Sequence, residues 1–381
     1  MNKTYCSLPF RETMVIPGNE LILCRRHDDT VAMGENFDQT FKSGKFQEIR
    51  ELMLEGKTVS GCEQCYREEA NGIESLREQS IKKYGVVDDI EIQGLHIQFD
   101  NLCNLKCRMC ASPSSHLLYE SEINVLGRPI AKQKFQVTDK YNEIDISKLT
   151  EVRLHGGEPF LSKRVESFFN KLATTNKISN ISVHIPTNGT IKPSNDLLAI
   201  LMQCKSLFIW VSIDAYGKLN NYFRSKSEFD TIIDNLDFFY SLIDKRPTDS
   251  TTIGVTTTIN IYNVNKLEKL DAFLKTRYPN LKFNKSILHN PDYLRISCMP
   301  IEYKNKIQHT LVNYPEILKI LNVNDNECFD EFIFYHNKLD IERQETLGDL
   351  NLELSEFINS YTPKRTITTE NILKFFENIL K

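Results

Sequence analysis

The chain has 381 residues, enough for one large domain with appendages or for two domains with a sizeable core. Hydrophobic residues make up 40%, and no repeat or low-complexity tract interrupts the sequence, which excludes disordered and fibrous classes. A formal net charge of -4 provides no broad basic field, so nucleic acid is not the expected partner. The N-terminal "MNKTYCSLPF" lacks the apolar core of a secretory signal, and no apolar run approaches the roughly 18 residues needed to span a bilayer. A cytoplasmic location is expected. In a reducing compartment ten cysteines do not form a disulfide framework, so clustered ones read first as metal ligands, and seven of the ten precede residue 111.

Residues 1–90 form the first predicted unit. "MVIPGNELILC" reads as a hairpin around Pro17 and Gly18. "KFQEIRELMLEG" puts Phe46, Ile49, Leu52 and Met53 on one helical face, and "CEQCYREEANGIESLREQSIKKYG" reads as a loop running into a second helix. From 91 to 299 strands alternate with helices. "GLHIQFD", "EVRLHGG", "ISVHIPTNG", "LFIWVSID", "TTIGVTTTINIYN" and "LKFNKSILHN" are the six strand candidates, and Phe229, Ile232, Ile233, Leu236 and Phe239 mark a helix between the fourth and fifth. That alternation predicts an α/β fold with a parallel sheet, open or closed into a partial barrel, with chemistry at the C-terminal strand ends. Residues 300–381 read as helical and finish on a stripe of Ile372, Phe375, Phe376, Ile379 and Leu380 behind a threonine cap.

The first strand candidate runs into "FDNLCNLKCRMCASPSS", where Cys103, Cys107 and Cys110 have CxxxCxxC spacing with no fourth cysteine close behind. A structural zinc site closes with four protein ligands, whereas a site with three keeps a position open for a small molecule. A 4Fe-4S cluster held by three thiolates leaves one iron free. Further along, "GGEPFL" ends the second strand candidate, "TNGT" follows the third and "VSID" ends the fourth.

In that order these motifs resemble the radical S-adenosylmethionine (SAM) superfamily over about 200 residues. The resemblance implies a partial (β/α)6 TIM-like barrel whose cluster, on Cys103, Cys107 and Cys110, is chelated by the amino and carboxylate groups of SAM. Met109 departs from the aromatic residue usual before the third cysteine; its thioether can still pack against adenine. Gly156 and Gly157 would let backbone approach SAM, Glu158 would take its ammonium, and Thr187 and Asn188 would border the adenosine. Ser212 would be a polar contact, Arg224 would pair with the carboxylate through its planar fork, and Asp214 would touch the ribose or substrate, or cap its loop.

Cys6, Cys24, Cys62 and Cys65 are enough to saturate a second metal centre, and the residues alone leave zinc and an auxiliary 4Fe-4S cluster both open. The pattern resembles the SPASM or twitch type of auxiliary-cluster module, which favours the cluster. Here the module precedes the barrel, where such modules usually follow it. Cys204, Cys298 and Cys328 stand alone; Cys204 and Cys328 read as small buried hydrophobes, Cys298 follows the sixth strand region, which leaves open a thiol near the site, and Asn260 and Asn263 close the fifth strand near the expected mouth. The resemblance implies a peptide or protein substrate, with a small molecule as the alternative, and an electron donor such as flavodoxin or ferredoxin. A non-catalytic iron-sulfur or zinc protein is the reading from another class.

Overall fold

The computed structural model describes residues 3–18, 20–27, 30–34, 36–70, 72, 74–127, 144–247, 249–323, 328–368 and 370–371. The stripe of Ile372, Phe375, Phe376, Ile379 and Leu380 lies outside them. The strands are β1 (Glu12–Ile16), β2 (Glu20–Ile22), β3 (Thr30–Ala32), β4 (Gly94–Gln98), β5 (Glu151–His155), β6 (Ser182–Thr187), β7 (Ser206–Ser212), β8 (Thr251–Ile259) and β9 (Lys282–Ile287). All six strands read from the sequence are present as β4 to β9. The chain divides into two compact units, one of Met1–Asp100, Lys134–Ile185 and Pro193–Leu207, the other of Asn101–Gln133, Pro186–Lys192 and Phe208–Lys381.

In the first unit the strand order is β3-β2-β1-β4-β5-β6. β1 and β2 form the expected antiparallel hairpin, with Met14 opposite Ile22 and Gly18 at φ 102 in the turn. β1 also pairs in parallel with β4, from Glu12 opposite Gly94 to Val15 opposite Ile97, so the sheet continues into the N-terminal region. Strand alternation gives the sheet two chemically different faces. Leu95, Ile97, Val152, Leu154, Val183 and Ile185 are almost wholly buried, while His96, Gln98, Arg153, His155 and His184 alternate with them. The helix Lys163–Thr174 buries Val165, Phe168, Phe169 and Leu172, and Phe168 meets the Phe99 ring at 5.6 Å. Each such side chain stabilises the fold by roughly 1.5–3 kcal/mol.

The N-terminal helices are Gly44–Leu54, Glu63–Ala70 and Leu76–Tyr84. The second of these occupies sequence expected to be loop. Its low apolar content hides it, and Cys65 is its one fully buried side chain. The third starts on a complete capping box between Ser75 and Glu78 and stops at Gly85, φ 73.

In the second unit β7, β8 and β9 are neighbours, and β8 and β9 pair in parallel from Gly254 opposite Lys282 to Ile259 opposite Ile287. Gly254 has no room for a side chain: a Cβ would run into the Trp210 ring and lie 2.9 Å from the Lys282 carbonyl oxygen. The predicted helix is present as Phe229–Tyr240. The C-terminal helices Ile301–Ile307, Pro315–Leu321, Phe329–Arg343 and Leu352–Ser360 share a core with Tyr222, Phe223, Ile259 and Tyr262. Among the described residues no helix is long and apolar enough to cross a membrane.

Candidate metal centres

The loop after β4 gathers its three thiols around Leu105, with Cys103 and Cys107 buried and Cys110 half-buried. Backbone bonds fix its path: Lys106 and Arg108 donate their amides to the carbonyls of Ser225 and Phe223 at 3.0 and 2.9 Å. The hydrogen bond from the Cys110 thiol and the nearby Arg224 guanidinium pull Cys107 down to about 7, while the same bond and burial push Cys110 up. The lowering favours the thiolate at Cys107, the form a metal needs.

The TNGT loop and the end of β7 lie in the same unit as this loop. Asn188 reaches Cys103 Sγ at 3.8 Å and donates to Asn104 Oδ1 at 2.9 Å, and Asn104 in turn donates to Thr190. Thr187 accepts from the Gly189 amide, which shapes the turn. Arg224, 5% exposed, points Nη1 at Cys107 Sγ, 3.9 Å away. Its Nε lies 2.7 Å from Asp214 Oδ2 as an ion contact that lacks the alignment of a hydrogen bond. Asp214 also accepts from the Thr258 amide. Its carbonyl accepts from Asn263, and Asn260 caps the Tyr262 amide, so both asparagines tie the loop after β8. Asp214 thus anchors its loop and Arg224. Ser212 is the last residue of β7 and half-buried, and Met109 packs half-buried on the apolar core.

Gly156, Gly157 and Glu158 belong to the other unit, following β5. Gly156 sits at φ +101, where a Cβ would lie 2.7 Å from both the Asp100 carbonyl oxygen and Gln98 Cγ. Gly156→Ala is expected to cost about 1–3 kcal/mol from backbone strain alone, read as a lower denaturation midpoint. Glu158 is 1% exposed and accepts from the Phe160 amide. Ser162 donates to Asp100, clasping this turn to the end of β4.

Sequence reasoning missed several buried charged residues of this unit. Arg108 has a fully buried side chain that donates to Asp340 and Glu345 at 2.6 Å and stacks over the Tyr222 ring at 3.7 Å. Arg343 is a further buried cation whose Nη1 and Nη2 have no hydrogen-bond partner among the described residues. Glu122 accepts from the Ser112 amide, and burial pushes its carboxyl up to about 7. A carboxyl whose folded-state pKa is raised favours the fold while protonated and weakens it as pH climbs from about 4.5 to 7. Glu122→Gln should therefore match the parent near pH 4.5 and exceed it by up to about 3 kcal/mol at pH 8, measured by denaturant unfolding at both pH values. The motif around Arg108 says nothing of its role, which is defined by Asp340 and Glu345 more than 230 residues along the chain.

Cys6, Cys24, Cys62 and Cys65 line one cavity with Leu8, Leu23 and Met53. Cys24 follows β2, and Cys62 and Cys65 lie just before and within the helix Glu63–Ala70. Burial pushes Cys6 and Cys62 up to about 12 and raises Cys24, so these thiols hold their protons until a metal displaces them. Arg26 lies 3.9 Å from Cys65 Sγ and is itself paired with Glu68. Zinc holds its sulfurs about 3.8 Å apart. Among the described residues only Glu12, His96 and Glu151 bring three ligating atoms within 4.8 Å of one another. Of the isolated cysteines, Cys204 and Cys298 are buried, and Cys298 donates to the Asp292 carbonyl.

Three thiols in one loop with an arginine beside them, and four more lining a separate cavity, are two candidate metal-ligand sets. Residues 97–274 match the Radical SAM superfamily, whose enzymes use a 4Fe-4S cluster and SAM. An uncharacterized protein of Archaeoglobus fulgidus is 24% identical over 187 residues, covering 49% of this chain and 39% of that protein. A GTP 3',8-cyclase of Desulforamulus reducens is 32% identical over 102 residues, covering 26% of this chain and 28% of the cyclase. The chain thus matches well under half the length of these curated relatives. Among solved structures, native anSMEcpe with bound AdoMet has a TM-score of 0.39 at 16% identity, covering 59% of this chain and 60% of that one. Streptococcus suis SuiB bound to S-adenosylmethionine has a TM-score of 0.37 at 14% identity, covering 74% and 52%.

Proposed function

We propose that this protein cleaves SAM reductively at a 4Fe-4S cluster held by Cys103, Cys107 and Cys110, and modifies a peptide or protein by hydrogen abstraction. When bound, the cluster and SAM would supply a 5'-deoxyadenosyl radical able to abstract hydrogen from an unactivated C–H bond. The chain's own residues do the placing. Asn188 and Arg224 flank the cluster thiols, and Arg224 is held by Asp214. Gly156 and Gly157 open the backbone beside Glu158, and Ser212 ends β7. Cys6, Cys24, Cys62 and Cys65 would hold an auxiliary cluster that relays electrons from within residues 1–90. Residues 91–299 would be the barrel and 300–381 a helical region. The observation that carries this reading is the contrast between three gathered thiols with no fourth and a separate, complete set of four.

A small-molecule substrate is favoured by one feature, the polar sheet face of His96, Gln98, Arg153, His155 and His184. Dithionite-reduced, cluster-reconstituted protein given SAM and peptides encoded beside its gene distinguishes the readings. A mass change in a peptide together with 5'-deoxyadenosine supports the first. Deoxyadenosine with unaltered peptides supports the second, and no deoxyadenosine with metal retained removes both.

A further inference from the structure

The face of the first unit's sheet that carries Glu12, His96 and His155 contains a relay the SAM motifs do not use. In the ladder Glu12 is opposite Gly94, two residues before His96, and His96 is opposite Arg153, two residues before His155. The three side chains therefore run diagonally across β1, β4 and β5 and finish immediately before Gly156. Glu12 Oε2 lies 3.0 Å from His96 Nε2, and His96 Nδ1 lies 2.9 Å from His155 Nε2. The two imidazoles are nearly coplanar, with 17° between ring planes.

Glu12, His96 and Glu151 have metal-like spacing. Their oxygens are already taken, because Lys83 bridges Glu12 and Glu151 at 2.8 and 2.9 Å, Tyr84 donates to Glu12 at 2.5 Å, and Arg153 donates to Glu151. Those donors hold Glu12 well below the usual carboxylate range, so its Oε2 can only accept. His96 must then donate from Nε2. With one proton per ring, His96 Nδ1 accepts from His155 Nε2–H, and the lone pair of the last ring is left on Nδ1. Burial, followed by the nearby His96, Arg25 and Arg153, pushes His155 down to about 3, which keeps that ring neutral. His155 Nδ1 makes no hydrogen bond among the described residues, and the residue is half-buried.

The geometry points to His155 Nδ1 as a fixed hydrogen-bond acceptor, set by Glu12 through His96, for a hydroxyl or amide N–H donor of the molecule bound beside Gly156. A carboxylate would present the same lone pairs with a charge. The neutral ring presents one without drawing in ammonium groups, and it does so across physiological pH. The groups facing the relay are Glu12, Glu151, Lys83, Tyr84, Arg25, Arg153 and His184. Identifying that molecule as the substrate rests on the proposed function; the tautomer does not.

The test is ring-nitrogen NMR of the cluster-loaded full chain labelled with 15N-histidine, with His155→Phe identifying the His155 signals by their loss. The expected result is an unprotonated Nδ1 and a protonated Nε2 for His155, with no titration between pH 5.5 and 8. In Glu12→Gln the amide nitrogen would face His96, because Lys83 and Tyr84 claim the oxygen, and both tautomers should invert. N-methylacetamide should shift the parent's Nδ1 upfield, and N,N-dimethylacetamide, which lacks the N–H, should not. A proton on His155 Nδ1 in the parent, titration within that pH range, or equal responses to the two amides would overturn the assignment. The parent spectrum decides the tautomer even if Glu12→Gln does not fold. Since no SAM turnover is read, failure of the radical SAM reading would show separately.

Discussion

Replacing Cys103, Cys107 and Cys110 together with alanine is expected to lower the iron of anaerobically purified protein from about eight to about four atoms per chain and to abolish 5'-deoxyadenosine formation from SAM. The three sulfurs sit together around Leu105, so no cluster can remain on that loop without them. The second set keeps four ligands of its own around its cavity and should keep its iron. The complementary Cys62→Ala, Cys65→Ala pair should remove the other half of the iron. Iron and acid-labile sulfide analysis reads both. Equal iron in the parent and the triple variant would show that the loop holds no cluster, and about one zinc per chain in place of the second four irons would identify the other centre as structural.

The largest stability effect is expected at Arg108. Its guanidinium is fully buried, answers two carboxylates on the C-terminal side of the unit and stacks on Tyr222, while its amide ties the cluster loop to Phe223. Arg108→Ala leaves Asp340 and Glu345 without their cation and empties the space over the ring, at an expected cost of about 3–5 kcal/mol. Arg108→Lys keeps the charge but loses the fork and most of the stacking, and should recover only part of that. Combining Arg108→Met with Asp340→Asn and Glu345→Gln removes the uncompensated charges and should recover most of it. Denaturant unfolding of the four proteins gives the ranking. A triple variant no more stable than Arg108→Ala would show that the loss comes from packing over Tyr222.

Six strands and the helix at Phe229 were legible because alternation and 3.6-residue spacing are local signals. The thiols of CxxxCxxC and CxxC were legible for a similar reason, as compact spacings, whereas Cys6 and Cys24 join Cys62 and Cys65 around one cavity only through the fold. What the sequence did not disclose depends on distant pairing. β1 carries no mark that it will lie beside β4, about 80 residues later, and the helix Glu63–Ala70 is too polar to show an apolar stripe. Arg108 reads as one charge in a loop until Asp340 and Glu345 are brought to it. Nor does the sequence show that Asp214 accepts from the Thr258 amide and makes an ion contact with Arg224. The relay from Glu12 to His155 spans three strands, its successive members 84 and 59 positions apart in the sequence.

The parallel pairing of β1 with β4 has a practical consequence for anyone dissecting this protein. The region matched to the superfamily begins at residue 97, inside β4. Cutting the chain there, or at any point after β1, would strip β4 of its neighbour and leave a row of unpaired amides and carbonyls on an apolar strand, a template for association with other chains. The family boundary is therefore not a folding boundary. A fragment that starts after the N-terminal cysteines is expected to precipitate for reasons unrelated to metal, and its insolubility should not be taken as evidence about the second centre.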